Sequence, residues 1–156
     1  DYDSNCHLRP PLRDESDRVR LVEGLVDGTI SAVCSNHQPV DANAKSAPFS
    51  LTQPGASTIE HILPLIMHIK KLGSELSLKE SISLVTSKPA SILGIEKGML
   101  KENGDADICI FDPNKNTDIN KSNLLSAGKN TPFGGWELDG KVTHTILGGK
   151  LVFNSD

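Results

Sequence analysis

Aromatic side chains are scarce in this chain, at 4% of 156 residues, and the hydrophobic fraction of 37% is lean. No apolar run approaches the roughly 20 residues that a membrane-spanning helix needs. Positive charge is not in excess either. The formal net charge is −4 and the pI is near 5.7, which argues against nucleic acid or an anionic membrane surface as a partner. Three cysteines at irregular spacing, with no Cys-x-x-Cys pair, read as free thiols in a reducing compartment, so the cytoplasm is the expected location. No signal-peptide pattern, phosphate loop, dinucleotide fingerprint or nucleophile elbow is visible. The first residues are polar, lack Met and read as the end of a strand with its loop, as expected of a segment of a longer protein.

What is present is an alternation of helical and apolar stretches. Residues 14–27 predict a helix, capped by Asp14 or Ser16, with Val19, Val22 and Leu25/Val26 as its buried stripe. Asp27-Gly28 stops it, and Thr29–Cys34 reads as a short buried strand opening the stretch Ser31–Val40. A polar loop with Pro48, Phe49, Pro54 and Gly55 runs to Ala56. Ser57…Glu60 has the form of a capping box for a helix carrying Ile59, Ile62, Leu63, Ile66 and Ile69, bent at Pro64. A second box, Ser77…Glu80, starts another helix, and Lys88-Pro89-Ala90 begins a short one ending at Gly94. Beyond Gly98 the pattern predicts a strand over Ala106–Phe111, ended by Asp112-Pro113. A turn-rich stretch over 114–140 follows, then a hairpin of Val142–Leu147 and Lys150–Phe153 around Gly148-Gly149.

The polar cluster at the end of the predicted strand, Asn36 and His37, stands where a β/α barrel places its chemistry. Other candidates are weaker. His61 and His68 lie seven apart on one predicted helix, too wide for a shared metal, and read as surface or packing residues; His144 alternates in the hairpin and reads as structural. Cys6, His7, Cys34 and His37 approach one another if their segments are sheet neighbours, but no metal-ligand spacing supports a zinc site, and Cys34 reads as a buried apolar thiol. The Arg9-Pro10-Pro11-Leu12-Arg13 loop holds two guanidiniums on stiff backbone. They suit a carboxylate or phosphate, or equally pairing with Asp14, Glu15 or Asp17.

Taken in order, Arg9-Pro10-Pro11-Leu12-Arg13, Glu23–Ile30, Ser35-Asn36-His37-Gln38-Pro39, Lys45 and Ala47-Pro48-Phe49 resemble the dihydroorotases. So do Leu63-Pro64-Leu65, Lys88-Pro89-Ala90, Gly104–Asp107, Thr131–Trp136 and the closing hairpin. The resemblance is to the C-terminal part of such an enzyme. It implies an α/β fold: the C-terminal β/α units of a TIM-like amidohydrolase barrel over residues 1–94, with a small all-β appendage over 95–156 that is composite with an upstream segment. It also implies a zinc-dependent hydrolase of cyclic amides in pyrimidine biosynthesis, with most metal ligands upstream of this chain.

The departures from the family pattern bear on activity. The strand-end motif of the family reads Asp-His-x-Pro-His, its aspartate serving as base and metal contact; here it reads Asn36-His37-Gln38-Pro39-Val40. An amide cannot take up a proton as a general base, although its oxygen can touch a metal. Val40 replaces a histidine that helps hold the substrate carboxylate, and Arg9 replaces a substrate-contacting asparagine, while Pro48 and Phe49 of the substrate loop are kept. The resemblance with these changes implies a non-catalytic or weakly active, oligomeric partner of aspartate carbamoyltransferase. The alternative is an active zinc-dependent dihydroorotase or related cyclic amide hydrolase whose base comes from elsewhere.

Overall fold

Asp14 sets the start of the first helix, α1 (Glu15–Val26): its carboxylate accepts the Asp17 amide at 3.0 Å and the Ser16 hydroxyl at 2.8 Å. Arg13 pairs with Asp17 at 2.9 Å and Arg18 with Glu15, so the first turn carries its own charge pairs. Leu25 is its buried residue, and Gly28, at φ 82°, ends it. The computed structural model describes residues 2–72 and 75–155.

The strand predicted over Thr29–Cys34 does not form. Among the described residues this stretch has no strand partner. The Ile30 amide bonds back to the Gly24 carbonyl at 2.7 Å, and the Val33 amide reaches the Leu84 carbonyl at 2.9 Å. A strand exists only through a ladder with a neighbour. Among the described residues, parallel pairing in this region is limited to one isolated bridge, between His37 and Ala56.

Ser57 and Glu60 do not close a capping box. Residues Ile59–His61 make a single 3-10 turn capped at Thr58 without a side-chain bond, and α2 (Ile62–Lys71) follows. Pro64 is therefore in the first turn of α2, where its missing N–H has no intrahelical partner to lose, instead of mid-helix as expected. The second box does close. Glu80 Oε2 accepts the Ser77 amide at 2.8 Å, and the Glu80 amide donates to Ser77 Oγ at 3.2 Å at the start of α3 (Leu78–Ser83). The last helix, α4 (Ser87–Leu93), ends as predicted at Gly94, in the left-handed conformation at φ 67°.

Strands β1 (Ile108–Asp118), β2 (Glu137–Leu147) and β3 (Lys150–Asn154) form one sheet in the order β1-β2-β3. β1 continues through Pro113 because it lies at the edge of that sheet, where a proline without N–H is tolerated. The hairpin closes as predicted, with Leu147 opposite Lys150 and glycines at φ 54° and 77° in the turn, and its register shifts between Thr145 and Ile146.

The chain divides into two units, each assembled from three stretches. One comprises Val22–Val33, Leu63–Thr117 and Leu138–Asp156; its apolar core is Leu25, Leu76 and Leu84, with Ile30, Val33 and Ile69 packed on it. The other comprises Asp1–Leu21, Cys34–Ile62 and Asp118–Glu137. Its interior is more polar: Lys45, Thr52, Ser57, His61, Asn130 and Thr131 are buried beside Ala56, Ile119 and Leu124. Such groups need partners, and the candidate site is built from them.

Candidate functional site

At residue 36 the backbone turns left-handed. Asn36 has φ 43°, a conformation that asparagine tolerates better than most side chains. Asn36 Nδ2 donates to the Arg9 carbonyl at 3.0 Å, and Gln38 Nε2 donates to Asn36 Oδ1 at 2.8 Å. Both polar ends of the amide are thus engaged, tying the opening loop to the 35–40 segment. A carboxylate at the same place would set oxygen against the Arg9 carbonyl oxygen.

His37 serves the next segment. Its Nδ1 accepts the amides of Thr58 at 3.1 Å and Ile59 at 3.2 Å, so the ring proton belongs on Nε2. The Gln38 amide adds a bond to the Ala56 carbonyl at 2.8 Å, and Thr58 Oγ1 donates to the Ser35 carbonyl. Gly55, at φ 132°, must be glycine: a Cβ there would lie 2.7 Å from the Gln38 carbonyl oxygen.

Val40 presents no polar side chain, but its backbone is clamped. The Val40 amide donates to Asn130 Oδ1 at 2.9 Å, while Asn130 Nδ2 donates to the Gly55 carbonyl at 2.9 Å. Ser57 Oγ donates to the Gly128 carbonyl. Glu60, whose sequence pattern suggested a cap, accepts the amides of Leu125 at 2.8 Å and Ser126 at 2.7 Å. Burial alone would raise its carboxyl; the bonds from Ser126 and Leu125 outweigh that and hold it below the usual range.

The opening loop and the 45–52 stretch form a second cluster. Lys45 is buried, its Nζ on the carbonyls of Ser4 at 2.9 Å and His7 at 3.3 Å, and burial lowers its pKa despite Asp3 and Cys6 nearby. His7 stacks on Phe49 with ring centroids 4.8 Å apart, and its Nδ1 lies 2.8 Å from Thr52 Oγ1. Since the Thr52 hydroxyl donates to the Phe49 carbonyl at 2.7 Å, His7 Nδ1 is the donor to Thr52. Pro48 is exposed at the head of the Phe49–Leu51 turn, and Arg9 is exposed, offering its carbonyl to Asn36.

Asn36 Oδ1 accepts from Gln38 and keeps a second lone pair, His37 Nδ1 accepts two amides, and among the described residues no three His, Cys, Asp or Glu side chains group as metal ligands. Cys34 is exposed, not buried as expected. Burial, with Asp3 beside it, pushes the Cys6 thiol up, away from the thiolate a metal needs. Sequence reasoning missed Asn130 and Gly128, whose only signal is their place in a turn-rich stretch. It saw Ser57 and Glu60 but assigned them a local role.

Residues 53–153 match the family model described as "Amidohydrolase family", which covers most of the chain. The chain belongs to the amidohydrolase family. It is 34% identical over 154 residues to the dihydroorotase of Geobacter sp. (strain M21) and 38% identical over 155 residues to that of Bacillus thuringiensis (strain Al Hakam). Each match takes in 99% of this chain and 36% of the relative, so this amidohydrolase chain spans about a third of the length of those curated relatives. Among solved structures it is similar to the L-hydantoinase (dihydropyrimidinase) of Arthrobacter aurescens, with TM-score 0.88 and 28% identity, over 98% of this chain and 36% of that one. It shares the fold of the D-hydantoinase (dihydropyrimidinase) of Thermus sp. at TM-score 0.87 and 24% identity, over 97% of this chain and 34% of that one. The likeness to the C-terminal part of a dihydroorotase, expected from the motifs, holds along the whole chain.

Proposed function

We propose that this chain is the C-terminal part of a dihydroorotase-like protein of pyrimidine biosynthesis that is non-catalytic or weakly active at its site around residue 36. The protein acts in the cytoplasm as an oligomeric partner of aspartate carbamoyltransferase. One observation carries the non-catalytic reading: position 36 holds an amide, which takes up no proton, and it bonds the Arg9 carbonyl and Gln38 Nε2. A general base needs a free, proton-accepting atom aimed at substrate, and loss of one costs roughly 10²–10⁴-fold in rate. Val40 supports the same reading, since it brings no donor for a substrate carboxylate. The partner role rests on the family resemblance together with this loss.

Zinc analysis and a dihydroorotate hydrolysis assay on the full-length protein test the proposal. The expected result is turnover at least a hundredfold below that of an ordinary dihydroorotase. Stoichiometric zinc with turnover within tenfold of such an enzyme overturns it in favour of an active zinc-dependent hydrolase. The partner role is tested by co-purification with aspartate carbamoyltransferase, and the absence of any complex refutes it.

A further inference from the structure

His61 is 3% exposed, and neither ring nitrogen has a hydrogen-bond partner among the described residues. A buried, unpaired imidazole is costly and demands an account. Its ring meets Phe133 edge-on, with centroids 6.3 Å apart. Two charged or titratable groups act on it: Glu60, next in the same turn, and His37 from the 35–40 segment; Phe133 brings no charge. We propose that His61 is an acid-operated latch. Uncharged, it lets the 121–136 segment close on the Ile59–His61 turn; charged, it opens that segment and frees the backbone of Val40 and Gly55.

The coupling is local and physical. A protonated His61 keeps two N–H donors that have no partner in the present geometry, so it leaves its enclosure or recruits the neighbouring carboxylate. That carboxylate is Glu60, whose oxygens hold the amides of Leu125 and Ser126. Either response loosens the same segment, and Asn130 within it clamps Val40 and Gly55. Burial holds the ring below the usual imidazole value of 6.5; Glu60 opposes this and His37 adds to it. The open state therefore takes up the proton first, and opening grows as pH falls below about 6.5.

Amide hydrogen exchange over residues 121–136 of the full-length protein, corrected for the intrinsic pH dependence, tests the latch. Exchange of the Leu125 and Ser126 amides is expected to rise, by up to about tenfold, between pH 7.5 and 5.5, a range above the titration of Glu60. In His61→Phe, which keeps an apolar ring beside Phe133, the rise disappears. If that variant does not fold, His61→Gln carries the same expectation. A wild-type segment equally protected at both pH values overturns the proposal whatever the variants do, and so does an equal rise in wild type and variant.

Discussion

Asn130 and Val40 are ninety positions apart in the chain, yet the Val40 amide donates to Asn130 Oδ1 at 2.9 Å. The other end of the same side chain donates to the Gly55 carbonyl at 2.9 Å. One buried amide thus fastens the 35–40 segment, the loop that precedes Ala56, and the 118–137 stretch. Replacing it with alanine leaves a donor and an acceptor unpaired in the interior. Asn130→Ala is expected to destabilise the protein by about 2–3 kcal/mol, read as a fall in the urea midpoint. A change under about 0.5 kcal/mol would place the clamp outside the folded core.

Gly128 is the steric half of that contact. A Cβ there would stand 2.7 Å from both the nitrogen and the oxygen of Val40 and 2.8 Å from Pro39 Cβ, and backbone atoms cannot swing aside. Gly128→Ala should cost about 3 kcal/mol, whereas Gly134→Ala, with its nearest neighbour at 3.9 Å, should stay within about 0.5 kcal/mol. Thermal melts of the two variants side by side decide this.

Restoring the family residues at the strand end should not restore chemistry. Asn36→Asp removes the donor to the exposed Arg9 carbonyl and places a carboxylate oxygen against it, at an expected cost of about 0.5–1 kcal/mol. The double variant Asn36→Asp with Val40→His is expected to give no gain in dihydroorotate hydrolysis. A rise of tenfold or more would mean that the remaining machinery is intact.

Glu60 sets an acid limit of its own. Its carboxyl is held below the ordinary value of 4.5, so the folded state keeps its charge after the unfolded chain has begun to take up protons. Its contribution is complete above that ordinary value and is lost as pH falls through the folded value. Glu60→Gln should flatten the pH dependence of the urea midpoint below about pH 4.5 and leave the region near pH 7 with a uniform offset.

Local chemistry was legible in the sequence wherever an element closes on itself. Asp14 caps α1, Ser77 and Glu80 close their box, Gly94 ends α4, and Gly148-Gly149 turn the hairpin. Each needs only residues within a few positions, so composition and spacing suffice. The same Ser-x-x-Glu pattern at Ser57 and Glu60 misled, because the two side chains are taken by Gly128 and by Leu125 and Ser126. A capping box is worth about a kcal/mol, and buried amides and carbonyls without other partners compete for the same oxygens.

Residue identity alone settled that position 36 carries a neutral amide and position 40 no donor, and the order of motifs pointed to the family. Tertiary structure decided where those side chains are spent: Asn36 on Arg9 and Gln38, His37 on the amides of Thr58 and Ile59, and Val40's backbone on Asn130. It also decided that Thr29–Cys34 is no strand here, since a strand is a relation between two segments and not a property of one. The reason is common to all of these. A hydrogen-bonding group will take any partner that folding brings within reach, and sequence spacing reports only the partners that are already near.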